Sequence, residues 1–131
     1  MLITGGAGMI GSTIAHQAVA QGAEVSILDA MLPLYGGNLF NLHGLVDPVR
    51  VSEGDSRVLD LMRRVVPGYD YIFSLAGQVS YVDSNTEPLT DLDINCKGHL
   101  QVLEACRREN PRARMGASNI IRWMKATRLI A

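Results

Sequence analysis

Four glycines within the first eleven residues constrain this chain more than any other feature of its sequence. The stretch Thr4-Gly5-Gly6-Ala7-Gly8-Met9-Ile10-Gly11 lies between a short apolar run and a segment with helical character. It satisfies G-x-G-x-x-G with Gly6, Gly8 and Gly11, and G-x-x-G-x-x-G with Gly5, Gly8 and Gly11. In such a loop one glycine permits a tight turn, one lets backbone amides approach a pyrophosphate, and the last lets the helix pack close to the strand.

The helix after this loop indicates where the phosphates of a dinucleotide are held. The start of a helix carries unpaired amide groups and the positive end of the helix dipole, and both favour an anion. We therefore predict cofactor contacts from Gly5, Gly8, Met9, Ile10 and Gly11.

An acidic residue at the end of the second predicted strand extends this interpretation to a ribose. Asp29 follows Gly11 by 18 residues, close to the ~20-residue spacing of a ribose-binding acid. A carboxylate there accepts hydrogen bonds from the ribose hydroxyls and repels a 2′-phosphate, and Ala30 and Met31 follow without an arginine. These residues predict NAD rather than NADP as the cofactor. The alternative is a purely structural turn in which Asp29 caps a loop.

Strands and helices alternate along the chain. Predicted strands cover residues 1–4, 23–28, 49–52 and 69–75, and predicted helices cover residues 9–21, 39–43, 56–66 and 88–110. Asp55 is a candidate cap for the third helix. In the last helix Leu89, Leu92, Cys96, His99 and Leu103 recur at helical spacing and are predicted to face the core. This order predicts an α/β fold, a three-layer, Rossmann-like doubly wound parallel sheet.

Composition limits the other classes of function. With 131 residues, of which 47% are hydrophobic, the chain forms one core, and its net charge of −1 gives no reason to expect a nucleic-acid or membrane partner. The histidines and cysteines form no metal-ligand cluster, so no metal site is expected. Cys96 and Cys106 lie too far apart on one helix for a disulfide and are predicted to be buried. Without a signal sequence, a cytoplasmic location is the expectation.

Further motifs resemble a known family. They are Glu53-Gly54-Asp55, Ser74-Leu75-Ala76-Gly77-Gln78 and Asn95-Cys96-Lys97-Gly98. With the glycine loop and Asp29, they are similar to the extended short-chain dehydrogenase/reductase superfamily, in particular to its NAD-dependent epimerase/dehydratase family of nucleotide-sugar enzymes, which includes UDP-glucose 4-epimerases.

The resemblance implies roles for several residues. Asp55 is the residue that meets the adenine ring, with a helix cap as its alternative role. Leu75, Ala76, Gly77, Gln78 and Asn95 also border the cofactor, which is NAD. Because Asn95 and Gly98 are poor helix formers, we expect a local hydrogen bond from the first and a close backbone contact at the second. The partner of the full-length family is a nucleotide-sugar.

The resemblance ends before the catalytic residues. The family uses a Tyr-x-x-x-Lys pair, whereas Tyr35, Tyr69, Tyr71 and Tyr81 are each followed four residues later by a residue other than lysine. Ser118 lies near the position of the family's substrate-orienting hydroxyl and is the one catalytic candidate.

The charge pattern also changes near the end of the chain. Residues 107–131 carry seven basic side chains and one acidic side chain, whereas residues 1–106 carry five basic and twelve acidic ones. After residue 114 the sequence lacks the family's apolar fifth strand. We therefore predict an NAD-binding domain over residues 1–115, a divergent basic tail over residues 116–131, and a truncated sheet, incomplete at its C-terminal side. Its exposed apolar edge would favour homo-oligomers.

Two functions from different classes follow. The first is the NAD-binding portion of a nucleotide-sugar epimerase or dehydratase, which uses transient hydride transfer to NAD and is not catalytic as this fragment. The alternative is a non-catalytic dinucleotide-sensing or interaction module whose basic tail is a contact surface. A flavin-binding domain suits the glycines but not residues 75–78.

Overall fold

The computed structural model describes residues 1–35, 37–45 and 49–117. The strands are β1 (Leu2–Thr4), β2 (Val25–Asp29), β3 (Val49–Glu53), β4 (Tyr71–Ser74) and β5 (Arg114–Ala117). The α-helices are α1 (Met9–Ala20), α2 (Leu59–Val65), α3 (Tyr81–Thr86), α4 (Pro88–Leu92) and α5 (Gly98–Glu109). A 3₁₀ helix spans Leu39–Leu42, and a π-helix spans Asp93–Lys97 between α4 and α5.

The five strands form one parallel sheet in the order β3-β2-β1-β4-β5. The chain places β2 and β3 on one side of β1, and then β4 and β5 on its other side. This arrangement confirms the predicted doubly wound α/β fold. It also places a crevice where the carboxyl ends of β1 and β4 diverge, which is the usual ligand position in such sheets.

Each face of the sheet is covered by its own apolar cluster. Ile3, Val25 and Ile27 pack with Ala15 and Ala18 of α1 on one face. On the other face Leu2, Leu28 and Ile72 pack with Met62 of α2 and with Val102, Ala105 and Cys106 of α5. Burial on both faces explains the apolar character of the central strand β1, all of whose residues are buried.

A fifth strand is present where the sequence predicted none. Arg114–Ala117 pairs in parallel with β4, so the expectation that the sequence lacks a fifth strand after residue 114 is wrong. The strand is four residues long and contains Gly116, where a Cβ would come within 2.9 Å of the Phe73 ring. The strand has no continuous apolar run, and its backbone is paired with β4. The predicted boundary between residues 115 and 116 falls inside this strand.

Asp55 does not cap α2. This helix begins at Leu59 with Val58 at its N-cap, and Leu59 lies four residues after Asp55. The Asp55 carboxylate instead accepts hydrogen bonds from the backbone and the guanidinium of Arg57. A local acceptor of this kind holds the segment before α2 in a turn, and the helix starts later than its sequence pattern predicted.

The long helix predicted over residues 88–110 is three consecutive helices. Leu89 and Leu92 are 78% and 55% exposed, so their predicted place in the core is wrong. The π-helix shifts the helical phase, and the apolar pattern before it does not continue onto the buried face after it. His99 and Cys106 are buried as predicted, whereas Cys96 is half-buried. The exposed helix α3 was not predicted.

Ser118 and the rest of the predicted tail lie outside the described residues, apart from residues 116 and 117 in β5. Among the helices that the structure describes, none is long and apolar enough to cross a membrane. Within the described ranges, no group of three or more His, Cys, Asp or Glu side chains could hold a metal ion.

Candidate functional site

A crevice at the carboxyl ends of the strands brings most of the predicted site residues together. Its walls come from the glycine loop, the end of β2, the segment after β3 and the loop after β4. The predicted residues that line it are Gly5, Gly8, Asp29, Asp55, Leu75, Ala76 and Gly77. Residues that the sequence did not predict also line it, including Tyr35, Gly37, Arg57 and Ile94.

Close contacts restrict glycines of the pattern formed by Gly5, Gly8 and Gly11. Gly5 has a φ of +71°, and a Cβ on it would come within 2.5 Å of the Ala76 amide nitrogen. A Cβ on Gly11 would overlap the Gly5 carbonyl oxygen. Gly8, the N-cap of α1, has more room, because a Cβ there would lie 3.3 Å from that oxygen. Two of the three glycines are therefore required by close backbone contact, and Gly8 leaves the helix start open.

Met9 and Ile10 occupy the first turn of α1. Their side chains are 79% and 54% exposed, so the chemistry they offer is that of their backbone amides. The first amides of an α-helix have no partner within the helix. With no acidic side chain in this turn, the start of α1 is suited to an anion such as a pyrophosphate.

Asp29 joins the end of β2 to the glycine loop. One of its carboxylate oxygens, Oδ2, accepts a hydrogen bond from the Ala7 amide at 3.0 Å. The other, Oδ1, accepts one from the Met31 amide at 2.9 Å. A Cβ on Gly37 would come within 2.8 Å of Oδ1, so the chain passes directly over the carboxylate. Each oxygen has a second lone pair, and the fixed carboxylate can still accept hydrogen bonds from ribose hydroxyls.

Asp55 and Arg57 form an ion pair at the β3 side of the crevice. Arg57 Nε lies 3.0 Å from Oδ1 and 2.9 Å from Oδ2 of Asp55. This guanidinium lowers the pKa of the Asp55 carboxyl below its ordinary value, although partial burial opposes the effect. Asp55 is thus held as a carboxylate at the crevice wall, with Arg57 as the partner that the sequence did not reveal.

Gln78 and Asn95 lie behind the crevice wall. The Asn95 side chain accepts a hydrogen bond from the Gln78 amide and donates one to the Gln78 carbonyl, both at 2.9 Å. It also donates to Asp91 Oδ1 at 2.8 Å. Gln78 is 4% exposed, and its own side chain donates to the Ser80 carbonyl. In this structure the two residues fix the path of the loop whose other members, Leu75, Ala76 and Gly77, face the crevice.

Some residues of the crevice were not predicted, because they lie outside the motifs. Tyr35 and Ile94 reach the crevice from a loop and from the π-helix, and neither belongs to a recognisable motif. Arg57 was detectable in principle, because a basic residue two positions after Asp55 can fold back onto its carboxylate.

Comparison with known proteins identifies the same family that the sequence motifs resemble. The model of the NAD dependent epimerase/dehydratase family matches residues 1–119. A CDP-paratose 2-epimerase from Salmonella typhi is 37% identical over 114 residues, which cover 84% of this chain and 33% of that protein. A dTDP-glucose 4,6-dehydratase from Mycobacterium tuberculosis (strain CDC 1551 / Oshkosh) is 35% identical over 117 residues, which cover 86% and 34%. The chain thus spans about a third of the length of the curated relatives it matches.

A solved structure shares the fold. The UDP-glucose 4-epimerase of Thermus thermophilus, in complex with NAD, superposes with a TM-score of 0.70 at 33% identity. The match covers 82% of this chain and 33% of that one.

Proposed function

Because the chain belongs to the NAD dependent epimerase/dehydratase family, we propose that its crevice binds NAD. The glycine loop and the start of α1 would hold the pyrophosphate, Asp29 the adenosine ribose, and Asp55 the adenine. Ala76 and Gly77, whose side chains are small or absent, would border the remainder of the cofactor. Bound NAD would supply reversible hydride transfer.

The observation that carries this proposal is the bond between Asp29 and the glycine loop. The carboxylate holds the Ala7 amide, and Asp29 also lines the crevice. Phosphate and ribose sites are thereby set at a fixed separation before any ligand arrives. A structural cap would also hold Ala7 and Met31, but it would not need to line a crevice beside an open helix start.

The same site favours NAD over NADP. A 2′-phosphate on the ribose would lie against the Asp29 carboxylate, and the residues from Ala30 to Tyr35 include no basic side chain. Arg57, the basic residue that lines the crevice, is occupied by Asp55. Among the described residues, NADP would therefore meet a negative charge with no unpaired cation in the crevice lining to offset it.

We further propose that these 131 residues bind NAD without catalysing turnover. None of the tyrosines in the sequence is followed by lysine four positions later. A tyrosine of this kind is the acid and base toward the sugar hydroxyl in the reaction that the family resemblance implies. A nucleotide-sugar partner, a catalytic contribution from Ser118, a cytoplasmic location and homo-oligomers stay predictions from the sequence.

Calorimetric titration of the 131-residue chain with NAD tests the proposal. We expect saturable binding by the unmodified protein, loss of binding in Gly8→Arg and strong weakening in Asp29→Ala. Asp60→Ala, at an exposed acid on α2, is the matched control and should bind as the unmodified protein does. Absence of binding by the unmodified chain would overturn the first proposal, and turnover of UDP-sugars by it would overturn the second.

A further inference from the structure

A buried hydrogen bond joins the end of β4 to α5. The Ser74 Oγ atom lies 2.6 Å from Nδ1 of His99. The two residues are 2% and 1% exposed, and neither lines the crevice. Among the described residues, His99 Nε2 and Thr4 Oγ1 on the paired strand β1 are buried without a hydrogen-bond partner. Burying polar groups with so few partners costs free energy, which an apolar pair of similar size would not cost.

This bond fixes the chain at the point where it leaves β4. The next amide, that of Leu75, donates to the Thr4 carbonyl at 3.0 Å. The following residue, Ala76, lies so close to the glycine loop that a Cβ on Gly5 would come within 2.5 Å of its amide nitrogen. Movement of Ser74 would therefore move the Ala76 backbone that packs against Gly5 in the crevice wall.

We propose that His99 is a positioning residue for the cofactor. Its imidazole ties Ser74 to α5, and through Ser74 it holds the backbone of Leu75, Ala76 and Gly77 in the crevice wall beside Gly5. α5 is suited to this role because Val102, Ala105 and Cys106 anchor it in the core. The inference rests on the proposed NAD site, since it assigns His99 a role in that site.

Substitutions at His99 separate positioning from simple packing. In His99→Asn the side-chain amide takes the place of Nδ1 and can bond Ser74, although it fills less volume. In His99→Leu the volume is filled but the bond is lost, as it also is in Ser74→Ala. A packing role predicts that leucine is tolerated better than asparagine, whereas a positioning role predicts the reverse for NAD affinity.

Calorimetry with NAD gives the first readout. We expect about tenfold weaker binding in His99→Leu and Ser74→Ala, the size of one buried hydrogen bond. His99→Asn should stay within about threefold of the unmodified protein. His43→Asn, at an exposed histidine outside the crevice, is the control and should change nothing. NAD affinity that is unchanged in His99→Leu, or equally weakened in His99→Asn, would overturn the inference.

Amide hydrogen exchange without NAD gives a readout independent of the cofactor. We expect the Leu75 amide to exchange faster in His99→Leu and in Ser74→Ala, and at the original rate in His99→Asn. Amides of α1 should be unaffected in all three variants. If neither the unmodified protein nor any variant binds NAD, the proposed function fails. The exchange rates of the Leu75 amide still decide whether His99 holds the end of β4. An unchanged Leu75 exchange rate in His99→Leu contradicts the inference by itself.

Discussion

At the scale of single residues, the crevice depends on backbone contacts that allow no side chain. Gly5 combines two constraints, because its φ of +71° strains any other residue and a Cβ would also meet the Ala76 backbone. Gly22 has a similar φ of +82°, but nothing lies within 4 Å of the position that a Cβ would take. A comparison of Gly5 with Gly22 therefore separates the cost of conformational strain from the cost of steric contact.

We expect Gly5→Ala to be much more destabilising than Gly22→Ala. Strain alone costs ~1–2 kcal/mol for a residue in the left-handed region, and this is the cost expected at Gly22. At Gly5 the contact with Ala76 adds to it, for a total of ~3 kcal/mol or more. Urea unfolding of both variants measures the difference in the free energy of unfolding. Equal losses of stability in the two variants would contradict a steric contact between residue 5 and the Ala76 backbone.

The Asp55 carboxyl gives a second test at this scale. Its pKa is lowered chiefly by its hydrogen bond with Arg57. In Arg57→Gln we expect this pKa to rise toward or above the ordinary value of 3.8, since partial burial then acts without the guanidinium. NMR titration of the carboxyl carbons measures it, with Arg64→Gln as a control on α2. A pKa that does not move in Arg57→Gln would refute the ion pair.

At the scale of elements, the π-helix Asp93–Lys97 is the part of the fold that the sequence indicated only indirectly. Asn95 and Gly98 stood out as poor helix formers, and both expectations for them are confirmed. Asn95 bonds the Gln78 backbone, and a Cβ on Gly98 would come within 3.3 Å of Ser56 Oγ. The sequence did not reveal the π-helix that places Asn95 beside Gln78. The helical spacing of apolar residues carries no information about a local π-helix.

The Asn95 bonds predict a specific effect on the loop after β4. In Asn95→Ala we expect the Gln78 amide to lose its acceptor and exchange faster with solvent, and NAD binding to weaken because Ala76 and Gly77 are less well held. Asn85→Ala is the matched control, since Asn85 donates to the Tyr81 carbonyl on the exposed helix α3. Equal effects of the two substitutions on NAD affinity would argue against this role for Asn95.

At the scale of the whole molecule, alternating strands and helices were enough to predict the doubly wound sheet and the crevice at its carboxyl edge. The glycines and Asp29 predicted one wall of that crevice, and the family resemblance added Asp55, Leu75, Ala76 and Gly77. Contacts between distant segments were not predictable, because Tyr35 and the Ser74 to His99 bond reach their places only through the tertiary fold. β5 was missed for the same reason, since its pairing with β4 stabilises it.

The buried histidine also predicts how the whole fold responds to acid. Burial lowers the pKa of His99 below its ordinary value of 6.5. The unfolded chain then binds this proton at a higher pH than the folded one, so stability falls as the pH drops below 6.5.

Urea unfolding at about pH 7 and about pH 5.5 measures this loss. We expect the unmodified protein to lose more stability between the two conditions than His99→Leu, which cannot titrate at this position. The exposed histidine variant His43→Asn should retain the full loss. A pH dependence that is the same in His99→Leu would contradict the assignment to His99.

The central claim is that a crevice built around Asp29 and the glycine loop binds NAD and discriminates against a 2′-phosphate. The most direct measurement is a pair of calorimetric titrations of the unmodified chain, one with NAD and one with NADP, under the same buffer conditions. We predict saturable binding of NAD and binding of NADP that is at least about tenfold weaker. Equal affinities for the two, or no saturable binding of NAD, would contradict the account.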